Sequence, residues 1–145
     1  MAARPSPTLM LVRGLFRRCP NCGGGKLFRG WVVMKDRCGR CGLRFEREAG
    51  FFLGAYVVNF GLVLVLLAAF ILIGVIATQP DPPVVALTLI GMFGSAAIAV
   101  FFYPMSKTFW SAIDLIMTPL ADEERVENEA ARIVTEAANR PARGG

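Results

Sequence analysis

The stretch FFLGAYVVNFGLVLVLLAAFILIGVIAT, residues 51–78, carries no charged side chain. A helix of these 28 residues would be about 42 Å long, which exceeds the roughly 30 Å hydrocarbon core of a bilayer. A second uncharged stretch, residues 84–103, follows the proline-rich loop Q-P-D-P-P at 79–83. Because proline interrupts a helix, the two stretches predict a membrane α-helical hairpin with two transmembrane helices.

The predicted hairpin contains few polar side chains. Asn59 is the one strongly polar residue of the first stretch. A hydrogen bond to the neighbouring helix is its expected role, with ligand binding or proton transfer as the alternative. The second stretch contains small residues that let two helices approach closely: Gly91, Gly94, Ser95, Ala96, Ala97 and Ala99.

Charge is concentrated at the two ends of the chain. Residues 1–50 hold eleven Lys or Arg against three acidic residues, whereas the loop at 79–83 holds neither Lys nor Arg. Basic residues mark the cytoplasmic side of membrane helices, so we expect both termini in the cytoplasm. Basic flanks also attract anionic lipid head groups, which makes the bilayer an expected partner. Nucleic acid is the less favoured alternative.

The four cysteines form two pairs, C-P-N-C and C-G-R-C, separated by fifteen residues. This spacing is typical of one tetrahedral site of four thiolates. The predicted metal ligands are Cys19, Cys22, Cys38 and Cys41. Zinc in a closed structural site is the expected metal, and iron in an electron-transfer site is the alternative, because the same thiolates bind both. A redox-active dithiol pair is a further alternative.

Residues 19–49 are predicted to fold as a small N-terminal β zinc ribbon. Its short strands are expected at 26–28, 31–35 and 43–45. The glycine after each cysteine pair, Gly23 or Gly42, suits a tight turn. So small a unit needs metal binding for much of its folding free energy. Four nearby basic residues would offset the negative charge of a zinc tetrathiolate: Arg18, Lys26, Arg37 and Arg40.

Residues 1–18 are interpreted as a basic tail and a short amphipathic helix. Apolar residues recur at helical spacing from residue 9 onward, beside Arg13 and Arg17. This helix is expected on the membrane surface or against the ribbon.

Residues 50–120 are predicted to hold the hairpin and, beyond a kink at Pro104, an interfacial helix over 105–117. Lys107 and Asp114 lie two turns apart on that helix, where they would snorkel, pair or bind a head group. Residues 121–145 are predicted to form a polar C-terminal helix that ends near residue 139, followed by a tail.

No catalytic site is predicted. The chain has no histidine, the commonest general base. The glycines at 23–25 precede Lys26, but they follow a metal knuckle rather than a strand, so they indicate a turn and not a phosphate-binding loop.

Four segments are distinctive enough to compare with known families. They read R-G-L-F-R-R-C-P-N-C-G-G-G-K-L-F-R-G at 13–30, C-G-R-C-G-L-R-F at 38–45, E-A-G-F-F-L-G-A-Y at 48–56 and Y-P-M-S-K-T-F-W at 103–110. Together they resemble the bacterial domain-of-unknown-function family 983. The resemblance implies a cytoplasmic metal-binding ribbon ahead of two helices in the bacterial inner membrane, and a helper role in the biogenesis of membrane complexes. Another branch of that family carries paired aspartates where this chain has Glu46 and Glu48, so no role of those aspartates is transferred.

The predicted function is a non-enzymatic zinc-ribbon adaptor or assembly scaffold for a membrane complex, with a membrane protein as partner. Candidate contact residues are aromatic, with two of the four expected in the ribbon core: Phe16, Phe28, Trp31 and Phe45. The alternatives are a rubredoxin-like membrane-anchored electron carrier and a membrane-tethered nucleic-acid binder.

Overall fold

The computed structural model describes residues 5–139, which contain four helices. Their bounds are α1 Pro7–Leu15, α2 Leu53–Ala77, α3 Val84–Met117 and α4 Asp122–Asn139. The predicted hairpin is formed by α2 and α3, and both are long and apolar enough to cross a membrane. The first four residues and the predicted tail at 140–145 lie outside the described range.

Helices α2 and α3 pack closely where a small residue lets them approach. A Cβ atom added to Gly91 would lie 3.1 Å from Leu67 Cδ1, whereas one added to Gly94 would have no neighbour within 4 Å. Asn59 Nδ2 donates a hydrogen bond to the Ala99 carbonyl oxygen over 3.0 Å. This bond confirms the expected interhelix role of Asn59.

The helix predicted over 105–117 is observed as the C-terminal part of α3, which continues through Pro104 as one helix. Proline lacks an N–H group, so the carbonyl of Val100 loses its helical partner. Burial of the following three turns offsets that loss. The buried residues of these turns are Ser106, Thr108, Ser111, Ala112 and Leu115.

Helix α1 packs against the C-terminal part of α3. Its Met10 also joins the buried cluster of the cysteine segment, so the expected contact of α1 with the ribbon region is observed. A Cβ atom on Gly14 would lie 2.8 Å from the Thr108 carbonyl oxygen and 3.1 Å from Ala112 Cβ. Thr108 Oγ1 also donates a hydrogen bond to the Gly14 carbonyl oxygen over 2.6 Å. The absence of a side chain at Gly14 therefore allows the two helices to touch backbone to backbone.

The predicted ribbon strands are not observed, since the described residues contain no β-strand. Two isolated antiparallel bridges, Phe28–Met34 and Arg37–Arg44, take their place. Two backbone hydrogen bonds flank the first bridge, and the exposed segment at 29–33 connects its two residues. The second bridge adjoins a cysteine knuckle. Turns at such short intervals leave no room for a longer ladder.

The segment between α1 and α2 shares one hydrophobic core with the helices around it. Its buried core residues include Leu27, Met34, Leu43 and Phe45. Met10 of α1 and Leu115 of α3 belong to the same cluster. The cysteine segment is therefore packed onto α1 and α3 rather than held apart from them.

Candidate metal centre

The two cysteine pairs lie in turns of nearly identical backbone geometry, which we call the first knuckle (residues 19–24) and the second knuckle (residues 38–43). Gly23 N–H bonds to the Cys19 carbonyl over 2.8 Å, and Gly42 N–H bonds to the Cys38 carbonyl over 2.9 Å. The φ angles of Gly23 and Gly42 are 71° and 73°. Glycine is favoured there because side chains crowd the left-handed region.

The four predicted ligands meet at one point. Cys19 Sγ lies 3.7 Å from Cys41 Sγ, and Cys22 Sγ lies 3.7 Å from Cys38 Sγ. All four sulfur atoms lie within 4.8 Å of one another. A tetrahedral zinc ion with bonds of about 2.3 Å would space its sulfurs by about 3.8 Å, so the cluster fits a metal ion. A disulfide needs about 2.05 Å, and the four cysteines are free.

Crowding of the four thiols changes their affinities for protons. Hydrogen bonding with the other three thiols, most strongly with Cys22, raises the pKa of Cys19, and burial raises it further. The hydrogen bond with Cys19 is the largest cause of the shift at two other thiols. It lowers the pKa of Cys38, and it lowers the pKa of Cys22 to about 7. Since a metal ion binds thiolates, its binding must displace the protons that remain. The affinity for metal therefore rises with pH.

Arg13 of α1 holds the first knuckle, a role that the sequence did not reveal. Its Nη1 donates hydrogen bonds to the carbonyl oxygens of Pro20, over 3.3 Å, and Asn21, over 3.0 Å. The guanidinium group thus covers the turn, and it lies beside Gly23. The only signal in the sequence is the position of Arg13 one helical turn before Arg17.

The four predicted charge-balancing residues occupy different places. Arg37 Nη1 donates to the Gly42 carbonyl of the second knuckle over 3.4 Å. The Arg40 side chain passes beside Gly24 of the first knuckle, where an added Cβ atom would lie 3.4 Å from Arg40 Cβ. Arg18 and Lys26 line a separate cleft.

Helix α4 covers the second knuckle. A Cβ atom on Gly42 would lie 2.0 Å from the Asn128 carbonyl oxygen and 3.3 Å from Arg132 N. Arg37 strengthens the contact through an ion pair with Glu127 and a 3.4 Å hydrogen bond to Asn128 Oδ1. Gly42 therefore permits both the turn and the approach of α4.

Comparison with known protein families assigns the chain to one of them. The profile described as Protein of unknown function (DUF983) matches residues 28–114, more than half of the chain. The chain belongs to the DUF983 family. The matched segment contains the second knuckle, α2 and most of α3, whereas the first knuckle precedes it. Comparisons with curated proteins and with solved structures gave no significant match.

In this DUF983 protein, Arg47 joins the cysteine segment to the junction of α3 and α4. Its Nε and Nη2 bind both carboxylate oxygens of Glu124, over 2.8 and 2.6 Å. Its Nη1 binds Asp114 Oδ2 and the Thr118 carbonyl, each over 2.9 Å. Hydrogen bonding with Glu124 raises the pKa of Arg47, and the same contact lowers the pKa of Glu124. These opposite shifts mean that the charged pair is favoured in the fold.

Lys107 and Asp114 do not pair with each other. Asp114 bonds to Arg47, whereas Lys107 Nζ donates to the Val32 carbonyl oxygen over 3.2 Å. The Lys107 ammonium also lies 4.8 Å from the centre of the Phe52 ring. Both residues therefore join the cysteine segment to α3. The sequence-based expectation that they snorkel, pair with each other or bind a head group did not include these contacts.

The four aromatic candidates divide as expected. Phe45 is buried, and Phe28 packs against the core cluster. Phe16 is 68% exposed and Trp31 is 49% exposed. Phe16 and Trp31 thus remain accessible to another molecule.

Proposed function

We propose that this DUF983 protein is a membrane-anchored adaptor or assembly scaffold for a membrane complex. Helices α2 and α3 would hold it in the bacterial inner membrane, and a structural zinc ion would shape its cytoplasmic side. The observation that carries the proposal is the attachment of a four-thiol site to α3, the longer of the two apolar helices.

The exposure of α2 and α3 supports the membrane anchor. In their most apolar 18-residue windows, 0% and 6% of the residues are buried. Core helices of soluble proteins bury their apolar side chains. Lipid would cover this apolar surface in a membrane.

Charge supports the proposed orientation. The cysteine segment, α1 and α4 gather at the end of the hairpin that is rich in Lys and Arg, and the opposite loop at 79–83 has none. The positive-inside rule then favours both termini in the cytoplasm.

The donor set supports a structural role for the metal. Four thiolates complete the tetrahedral shell of zinc and leave no open position for substrate or water. The metal would fix the shape of the surface formed by both knuckles and α4. The protein would therefore act by binding a partner rather than by catalysis.

The test compares Cys38→Ser with Cys38→His in the full chain, because histidine is also a zinc ligand. Cys38→Ser should lose zinc and lose the membrane proteins recovered with the wild type after crosslinking. Cys38→His should retain more of both. Normal metal content and normal partner recovery in Cys38→Ser would contradict the proposal.

Metal analysis also tests the electron-carrier alternative. A red protein with a thiolate-to-iron absorption band would favour it, and a colourless protein with one zinc ion would remove it. Salt-dependent binding to mixed RNA or DNA would instead favour the nucleic-acid alternative.

A further inference from the structure

An open cleft lies between residues 16–18, which follow α1, and residues 25–30, which follow the first knuckle. Its volume is about 530 Å³, and its lining includes Phe16, Arg17, Arg18, Lys26 and Phe28. Three of these side chains are positively charged. Among the described residues, none of the three forms an ion pair with a carboxylate.

Two of the basic residues adopt backbone conformations that favour glycine. Arg17 has a φ of 56° and Lys26 a φ of 59°. Arg17 stands directly after the C-cap of α1, where Arg18 N–H bonds to the Arg13 carbonyl over 2.9 Å. This helix-ending motif usually has glycine at the position of Arg17. Arg17 and Lys26 thus occupy positions where the backbone conformation favours glycine. Backbone strain of this kind concentrates at functional sites.

The Arg17 side chain is held in place at the edge of the cleft. Its guanidinium carbon lies 4.5 Å from the centre of the Phe28 ring and 5.2 Å from that of Trp31. Its Nη2 donates to the Trp31 carbonyl oxygen over 3.3 Å. A guanidinium group has five N–H donors, so this hydrogen bond leaves others for an anion.

The cleft adjoins the apolar surface of the hairpin. The Trp31 ring centre lies 5.8 Å from that of Phe101 in α3. Trp31 is 49% exposed, Phe16 is 68% exposed and Val33 is 63% exposed. Tryptophan is enriched where membrane meets water. The basic side chains therefore lie next to the level that lipid head groups would occupy.

We propose that this cleft binds the phosphate of an anionic phospholipid. Arg17, Arg18 and Lys26 would contact the phosphate, while Phe16 and Trp31 would lie beside the acyl chains. The proposal rests on the same membrane placement as the proposed function, but it needs no protein partner. A lipid fits better than a nucleic acid, because the charges converge on one cleft beside exposed apolar residues rather than along an extended groove.

The test uses the double variant R17G/K26G in the full-length, metal-loaded protein, purified in neutral detergent. Glycine suits both backbone conformations, so the variant should fold and keep its metal. Native mass spectrometry with added phosphatidylglycerol should show that the wild type binds this lipid. The variant should bind it about thirtyfold more weakly, because each basic residue near an anionic lipid contributes about 1 kcal/mol. A matched control, R125Q/R132Q, removes the same charge from α4 and should bind like the wild type.

Three results would overturn the proposal. The first is equal phosphatidylglycerol binding by the wild type and by R17G/K26G. The second is equal binding of phosphatidylcholine, which carries no net charge. The third is full displacement by millimolar inorganic phosphate, which would assign the cleft to free phosphate. Loss of lipid binding with normal recovery of partner proteins would support the lipid site and leave the adaptor proposal intact.

Discussion

The two knuckles have the same backbone geometry and different neighbours. Their glycines have φ angles of 71° and 73°, yet a flexible arginine side chain covers the first knuckle and the backbone of α4 covers the second. Local sequence determines the turn in both cases, because a glycine follows each cysteine pair. The covering element determines how much change each turn tolerates. Four experiments can break or sharpen this contrast.

Removal of the metal should have the largest effect, because one ion would hold both knuckles. Structural zinc sites of this kind bind with about 10–16 kcal/mol. We expect a chelator to expose residues 16–48 and α4 to protease while the helicity of α2 and α3 persists. Limited proteolysis and circular dichroism measure this, with zinc re-addition as the control. Unchanged proteolysis in protein shown to lack metal would contradict the prediction.

Alanine at the two knuckle glycines tests the contrast most directly. Gly23→Ala should lower the free energy of unfolding by about 1–2 kcal/mol, from backbone strain alone. Gly42→Ala adds a clash with the Asn128 carbonyl, 2.0 Å from the new Cβ atom, so about 2–4 kcal/mol is expected.

Denaturant titration of the two glycine variants measures this difference, and protease cleavage within α4 shows whether the helix has moved. Equal losses of stability in the two variants would mean that α4 does not constrain the second knuckle.

Acid should weaken the attachment of α4 by a smaller amount. Arg47 lowers the pKa of Glu124 below its ordinary 4.5 in the folded chain. The stabilising contribution is therefore present above pH 4.5 and is lost as pH falls through the lower, folded-state pKa.

Glu124→Gln should be less stable than the wild type at neutral pH, and the gap should close in acid. Protease sensitivity of α4 between pH 3 and 7 follows this, and the paired comparison cancels metal loss common to both proteins. A gap that stays constant with pH would show that the Glu124 charge is not responsible.

Arg13→Gln should have the smallest effect. It removes charge-assisted hydrogen bonds from the first knuckle but leaves a side chain that can donate one, so about 1 kcal/mol of stability is expected to be lost. Thermal unfolding of the metal-loaded protein measures this change. An effect as large as that of Gly42→Ala would mean that the first knuckle depends on its cover as strongly as the second.

Sequence alone predicted the features that depend on neighbouring residues. The uncharged stretch at 51–78 identified α2, and the spacing of the cysteines identified the four-thiol cluster, because both signals are local. The continuation of α3 through Pro104 was missed, since it depends on burial against α1. The contact of Gly42 with Asn128 was also missed, because a glycine after a cysteine pair already has a sufficient reason to be there. The predicted strands failed because turns recur too often for a ladder to grow.

The continuity of α3 has a mechanical consequence. Its 34 residues make a rod of about 51 Å, with one part among the apolar side chains of the hairpin and the other fixed to the cysteine cluster. Membrane helices tilt in response to bilayer thickness. Because the helix is unbroken between these two parts, a tilt of the membrane part would also turn the cysteine cluster, so the thickness of the bilayer would influence the angle of this surface to the membrane.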